Sequence, residues 1–179
     1  MGKTTTKKWV FAALFAALTA AVAPFKIPLG FTPVPITLQT LVVLLAGAVL
    51  GSTYGALAMI LYVLVGALGL PVFAGGGSGV GALLGPTGGY LFSYFIAAFV
   101  IGRMVEKKKN PTYLHYIIAM AVGTIVIYVL GAGQGMLVTG LPFPAILVGW
   151  VLPFLIGDAV KLLVAALIAK KANIQQYLK

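Results

Sequence analysis

The residues best suited to chemistry in this chain are an acid and a base in an apolar setting. Asp158 and Lys161 lie in the stretch LIGDAVKLL, and Asp158 is one of only two acidic residues among 179. Their i, i+3 spacing places both side chains on one face of a helix. A charge near the middle of a bilayer costs roughly 2.5–3.5 kcal/mol on insertion scales, so such residues usually face a cavity and have partners.

Two interpretations of this pair stay open. The charges could pair only with each other and lock a helix bundle. They could instead bind a ligand with two different ends, Lys161 taking a carboxylate and Asp158 accepting hydrogen bonds from N–H groups. Catalysis would need further acids or histidines nearby, and the remote His115 does not supply them. The chain is therefore not predicted to be an enzyme, and no metal or cofactor is expected.

The composition predicts an integral membrane protein. Hydrophobic residues make up 61% of the chain and charged residues 8%, with a mean hydropathy of +1.12. Such a composition leaves too little polar surface for a water-soluble domain. Breakers and charges divide the chain into six apolar segments within one all-α membrane domain, residues 1–179. The predicted helices are about 8–24, 36–51, 53–70, 88–105, 113–131 and 145–169.

The cations are distributed unevenly between the predicted loops. Six helices place three basic clusters on one side, which the positive-inside rule makes cytoplasmic, and Lys26 alone on the other. Both termini are then cytoplasmic, in a multi-pass protein of the cell membrane. Despite the net charge of +10, no basic face with interleaved aromatic residues is present, so nucleic acid is not an expected partner. The clusters are Lys3, Lys7 and Lys8; Arg103 and Lys107 to Lys109; and Lys170, Lys171 and Lys179.

The outer connections are long, rich in Gly and Pro, and poor in charge. They read PFKIPLGFTPVPI, LPVFAGGGSGVGALLGPTGGY and GAGQGMLVTGLPFP. Non-helical backbone near membrane depth is tolerated only where it is buried in protein or lines a cavity. We therefore expect a substrate cavity that opens to the outside.

The glycine-rich connection is the most distinctive of the three. Its GSGVGA matches a dinucleotide-binding pattern, but the required βαβ context is missing. Its backbone could approach a ligand closely at Gly76, Gly77 and Gly79, with Ser78 as a hydroxyl, although an ordinary cap over helix ends is the alternative. Gln39 and Tyr90 could line the same cavity, and Tyr90 could equally be an interfacial aromatic.

Helix 1 carries small residues at four-residue spacing on two adjacent stripes. Such faces let another helix approach closely, either from a partner or from within the same chain. The stripes are Ala12, Ala16 and Ala20, and Ala13, Ala17 and Ala21.

Four strings, in order along nearly the whole chain, resemble the BioY family. They are PVPITLQTL, GLPVFAGGGSG, GALLGPTGGYL and GDAVKL. BioY proteins are the biotin-specific substrate-binding (S) subunits of energy-coupling factor (ECF) transporters. The resemblance implies six helices and high-affinity biotin uptake, generally with a transmembrane coupling subunit and two cytoplasmic ATPases. It assigns ligand binding to Asp158, Lys161 and the loop from Gly75 to Gly81, and partner docking to an alanine stripe of helix 1.

One departure from the family pattern concerns the loop. Relatives often carry a polar amide there, whereas this chain offers only Ser78. An S subunit for another small vitamin is one alternative. A self-sufficient carrier in which Asp158 cycles a proton is another, although the small size and the lack of a second membrane acid argue against it.

Overall fold

The computed structural model describes residues 3–172, and most of this part of the chain is helical. A short antiparallel pair of two-residue strands follows the first helix, with Lys26 paired to Thr37 and Ile27 to Ile36. The elements are α1 (Lys3–Val22), β1 (Lys26–Ile27), β2 (Ile36–Thr37), α2 (Gln39–Ala67), a 3-10 turn (Ala74–Gly76), α3 (Val80–Leu84), α4 (Gly88–Glu106), α5 (Tyr113–Thr139), α6 (Phe143–Ile146), a π-helical turn (Leu147–Val151), a second 3-10 turn (Leu152–Phe154) and α7 (Leu155–Ala172).

Helix α2 reverses direction at Gly51. In a straight helix Gln39 and Tyr62 would lie roughly 35 Å apart at 1.5 Å per residue, yet Gln39 Nε2 donates a hydrogen bond to Tyr62 Oη at 2.5 Å. Gly51 has φ 81° and ψ −177°, a combination that only glycine adopts readily. Residues 39–50 and 52–67 are therefore two antiparallel arms, named here the first and second arm of α2.

Glu106, the second acid of the chain, caps the start of the second arm. Its carboxylate accepts hydrogen bonds from the Ser52 backbone N–H and from Ser52 Oγ, both at 2.8 Å. The first N–H groups of a helix have no partner within that helix, and an anion there also complements the helix dipole. One carboxylate thus ties the end of α4 to the turn of α2.

Close backbone contacts assemble the helices. A Cβ built on Gly47 would lie 2.5 Å from the Ala98 carbonyl oxygen, so only glycine permits the observed approach of α2 to α4. Small residues at helix crossings are how membrane helices gain contact area. Large apolar side chains such as Leu14, Val129 and Ile156 lie exposed on the outer surface. That surface suits lipid as its solvent.

Within residues 3–172, five helices are long and apolar enough to cross a membrane, whereas six were predicted. One of the five is α2, which contains both antiparallel arms. The prediction of a loop after residue 131 was wrong, since α5 continues to Thr139. Gly131 and Gly135 do not end this helix. They make room for the rings of Tyr90 and Trp150. The predicted domain end, with Lys179, lies outside the described residues.

The conformation of Gly51 predicts the effect of a substitution. Gly51→Ala should lower the apparent free energy of unfolding by about 1–3 kcal/mol, because alanine is strained at this φ and ψ and its Cβ would collide with Glu106. Thermal unfolding in detergent measures the change. In the control Gly133→Ala, the new Cβ meets nothing within 4 Å, and alanine should stabilise α5 slightly. Equal midpoints for Gly51→Ala and the wild type would contradict the strained turn.

Candidate ligand-binding site

A cavity of about 280 Å³ is enclosed by residues 34–37, the first arm of α2, the glycine-rich connection, α4, α5, Phe154 and α7. This volume is near the lower end of small-molecule sites, roughly 300–1,000 Å³. Apolar side chains and the ion pair share its wall, the usual composition of a solute site. The residues that line it are Val34, Pro35, Ile36, Thr37, Gln39, Thr40, Phe73, Ala74, Gly77, Ala82, Thr87, Tyr90, Leu91, Tyr94, Ile127, Tyr128, Phe154, Asp158 and Lys161.

Asp158 and Lys161 form a salt bridge on α7, with 2.8 Å between Lys161 Nζ and Asp158 Oδ1. Their side chains are 10% and 13% exposed, and both line the cavity. Thr40, from the first arm of α2, joins both: its Oγ1 lies 3.3 Å from Asp158 Oδ1 and 3.2 Å from Lys161 Nζ. Tyr128, from α5, donates to Asp158 Oδ2 at 2.5 Å. Three helices therefore meet at one carboxylate.

The backbone of the last membrane segment is irregular beside the cavity. A π-helical turn and a 3-10 turn, which contains Pro153, separate α6 from α7. Such changes free carbonyl groups that need another donor. Tyr90 supplies one, since its hydroxyl donates to the Trp150 carbonyl at 2.8 Å. Tyr90 thus lines the cavity as predicted, but its only donor proton is already engaged.

The glycine-rich connection reaches the cavity at fewer places than predicted. Gly77 lines it, whereas Gly76, Ser78 and Gly79 do not, and Ser78 is exposed. Phe73 anchors the connection because its ring is buried against Gly66 and contacts Tyr62 edge-on at 5.7 Å. Ser78 therefore lies on the exposed side of the connection and does not line the cavity.

Two further contacts hold the connection to the bundle. The Gly79 N–H donates to the Gly66 carbonyl at 2.7 Å. Gln134, on α5, donates through Nε2 to the carbonyls of Leu83 and Gly85, each at 2.8 Å. The connection carries three glycines of positive φ, Gly75, Gly76 and Gly79.

Several polar residues of the site were not predicted from the sequence. Thr40, Tyr94 and Tyr128 line the cavity, but each looks like an ordinary residue of an apolar helix. A signal was present for Thr40, which directly follows the predicted Gln39. None was present for Tyr128, because its place beside Asp158 depends on how α5 packs against α7.

The structure separates the two alanine stripes of α1. Ala12 and Ala16 are buried within this chain, and Ala20 is half-buried, so this stripe is internal packing and does not present a free docking face. Ala13, Ala17 and Ala21 are exposed. The second stripe is the one that a partner helix could reach.

Chemically, this arrangement is suited to binding a solute. The cavity combines apolar walls with one acceptor-rich carboxylate, one ammonium group and several hydroxyls. Within residues 3–172 no group of three or more metal-ligating side chains comes together. The fold and the cavity define a multi-pass membrane protein with a binding site for a small, bifunctional solute.

Comparison with known proteins gives this class a family. The chain belongs to the BioY family, whose sequence profile matches residues 1–177. It is 44% identical over 173 residues to the "Biotin transporter BioY" of Thermotoga maritima, which covers 95% of this chain and 99% of that protein. The protein of the same name from Rhizobium etli is 39% identical over 174 residues, covering 93% and 92%. The resemblance predicted from the sequence is confirmed.

A solved structure supports the same assignment. The crystal structure of "the S-component for biotin from an ECF-type ABC transporter" matches this fold with a TM-score of 0.90 and 28% identity. The match covers 100% of both chains. The prediction of a helical, multi-pass membrane protein is thereby confirmed.

Removing one charge of the pair should destabilise the fold, because the other charge is then buried without a partner. In the absence of ligand, Lys161→Met should lower the apparent free energy of unfolding by about 3 kcal/mol, because Asp158 then lacks its cation. The double variant Asp158→Asn/Lys161→Met should recover part of this loss. Lys170→Met, whose ammonium group is exposed and bonds only the Pro111 carbonyl, is the control. A double variant less stable than Lys161→Met would contradict the pairing.

Proposed function

We propose that this protein captures biotin in the cavity beside Asp158 and Lys161, as the substrate-binding subunit of an ECF-type vitamin transporter. The observation that carries the proposal is the ion pair on α7, which meets an otherwise largely apolar cavity. Its relatives are named biotin transporters. Transport is non-enzymatic in this proposal, and biotin is the cargo, so no cofactor is invoked.

Biotin and the cavity are chemically complementary. The vitamin has a carboxylate at one end, an apolar chain and ring in the middle, and a ureido group with two N–H donors and one carbonyl at the other end. Asp158 supplies acceptor positions for N–H groups, and Lys161 supplies the cation for the carboxylate once its long side chain has moved away from Asp158. The apolar part of biotin fits walls such as Phe73 and Phe154, which line the cavity.

Each charge of the pair has partners within the chain. Lys161 bonds Asp158 and Thr40, and Asp158 also accepts from Tyr128. Biotin therefore has to replace part of this network with bonds of its own. Such exchange favours a ligand that satisfies both groups over one that satisfies a single group, because a buried polar group left unpaired is costly. The same network thus opposes binding of singly charged or purely apolar solutes.

The proposed topology has six crossings, with the two arms of α2 as separate crossings. The turn at Gly51, the basic clusters and both termini then lie on the cytoplasmic side, following the positive-inside rule. The cavity and the glycine-rich connection lie toward the outside. The connection, with its glycines of positive φ, acts as a cover that closes over bound biotin.

Energy for uptake comes from partner subunits in this proposal. The chain has no phosphate-binding loop, and its second acid, Glu106, serves as a helix cap. A coupling subunit would dock on the exposed stripe of Ala13, Ala17 and Ala21, where small side chains let a foreign helix approach. Two cytoplasmic ATPase subunits would complete the transporter.

The role of Lys161 can be tested with two ligands that differ only at the acid. Lys161→Ala should weaken binding of biotin far more than binding of biotin amide, by about tenfold or more in the ratio, because only the acid loses a charged contact. Isothermal titration calorimetry on the purified protein measures both constants. Equal losses for the two ligands would sink the assignment of Lys161 to the carboxylate.

Asp158→Asn is the companion variant of this test. It should weaken both ligands alike, since their ureido groups are identical. Unchanged affinity in Asp158→Asn would return Asp158 to a purely structural role in the bundle.

Docking can be separated from binding by substitutions on α1. Ala13→Trp/Ala17→Trp should abolish biotin uptake and co-purification of the coupling subunit in cells that contain the partners, while biotin binding survives, because two indole rings prevent close helix approach. Leu14→Trp/Leu18→Trp is the matched control on the neighbouring exposed face. Normal uptake with the alanine-stripe variant would show that the partner docks elsewhere. Uptake against a gradient in vesicles without any ATPase would favour a proton-coupled carrier.

A further inference from the structure

A buried hydrogen-bond relay leads from the cavity wall to the base of the glycine-rich connection. Gln39 Nε2 donates to Tyr62 Oη at 2.5 Å, and Tyr62 Oη donates to the Val72 carbonyl at 3.0 Å. Gln39 lines the cavity and is 2% exposed, whereas Tyr62 is 1% exposed and does not line it. Neither residue takes part in the network around the ion pair.

The relay has a fixed direction. A tyrosine hydroxyl carries one proton, and here that proton goes to the Val72 carbonyl, which can only accept. Tyr62 Oη must therefore accept from its other neighbour, so Gln39 has to present an N–H to it. The amide of Gln39 cannot flip without breaking a bond, and its oxygen is held on the side away from Tyr62.

The amide oxygen of Gln39 is the free acceptor in this arrangement. Within residues 3–172 it receives no hydrogen bond from the protein, yet no fully buried side-chain oxygen or nitrogen there lacks a partner. The oxygen must therefore meet open space, and the space beside Gln39 is the cavity. Its neighbour in sequence, Thr40, bonds both members of the ion pair. Gln39, Asp158 and Lys161 all line this cavity, so a ligand bound in it can reach both the oxygen and the ion pair.

The far end of the relay is the anchor of the cover. Val72 precedes Phe73, whose N–H donates to the Gly77 carbonyl at 2.9 Å and whose carbonyl accepts from Gly76 N–H at 2.9 Å. Tyr62 also packs edge-on against Phe73 and stacks on Tyr94, with ring centroids 5.7 and 6.4 Å apart. The hydroxyl that orients Gln39 therefore also holds Val72, the residue before the anchor Phe73.

We propose that Tyr62 is a positioning residue that holds the Gln39 amide oxygen toward the cavity as the acceptor for a ureido N–H, and that links this contact to the base of the cover. The inference rests on the proposed function, because it names the ligand group that Gln39 receives. The glycine-rich connection supplies no amide to the cavity, because its only polar side chain before residue 82, Ser78, is exposed and outside the cavity lining. In this proposal the amide comes from Gln39, on the first arm of α2.

The test is a double-mutant cycle on the full chain in detergent, with biotin as the probe. Tyr62→Phe removes the hydroxyl and keeps the ring that packs on Phe73 and Tyr94. Gln39→Met removes the amide at similar length. Each variant should weaken biotin about tenfold, and the double variant should lose little more than either, because both remove the same contact. Tyr113→Phe loses a bond to the Leu163 carbonyl, and neither residue lines the cavity, so this variant should bind within about twofold of the wild type.

Two binding results would overturn the relay. One is a Tyr62→Phe variant with the affinity of the wild type. The other is a double variant whose loss is the product of the single losses, as expected of two independent structural defects. A purely structural role of Tyr62 would lower thermal stability without this non-additive loss of affinity.

A ligand-free measurement separates this inference from the proposed function. The chain has no cysteine, so Ser78→Cys accepts a single spin label on the cover. Tyr62→Phe should make that label more mobile in the absence of biotin, since Val72 loses its bond. An unchanged spectrum would overturn the link to the cover. A wild-type protein that does not bind biotin would overturn the proposed function and the ureido contact. The mobility of the label would still test whether Tyr62 holds the base of the cover.

Discussion

The ion pair of Asp158 and Lys161 imposes the constraint on which the rest of this structure depends. Two charges among apolar helices are stable only when each has a partner and the remaining lone pairs and protons are hydrogen-bonded. The pair satisfies the first need itself, and Thr40 and Tyr128 contribute to the second. Because these residues come from three helices, the requirement of one carboxylate fixes how the first arm of α2, α5 and α7 pack.

The need for hydrogen-bond partners also applies where the backbone departs from regular helix. The π-helical and 3-10 turns lie beside the cavity, and Tyr90 pairs with a carbonyl in this stretch. At the other end of the bundle, Glu106 pairs with the strained turn at Gly51. The two acids of the chain thus have separate tasks. Asp158 lines the cavity, and Glu106 accepts hydrogen bonds from Ser52 at the turn that Gly51 makes possible.

Much of this could be predicted from local sequence. Hydropathy predicted the membrane helices, and the acid and base in LIGDAVKLL predicted a pair of charges on one helix face, because both signals lie in nearby residues. The end of α5 was wrong, since Gly131 and Gly135 look like breakers and instead receive the rings of Tyr90 and Trp150. Tyr128, Thr40 and the Tyr62 relay depend on packing between distant segments, which no local pattern contains. The choice between the alanine stripes likewise required knowledge of which face of α1 meets α2.

The proposed function requires that this cavity select a molecule with a carboxylate at one end and a urea at the other. Equilibrium binding of a panel of small vitamins to the purified wild-type protein, measured by titration calorimetry in detergent, tests it most directly. Biotin should bind at one site per chain and at least about a hundredfold more tightly than vitamins that lack either group, because they leave buried polar groups unpaired. Absence of saturable biotin binding, or tighter binding of a vitamin without a urea, would contradict the account.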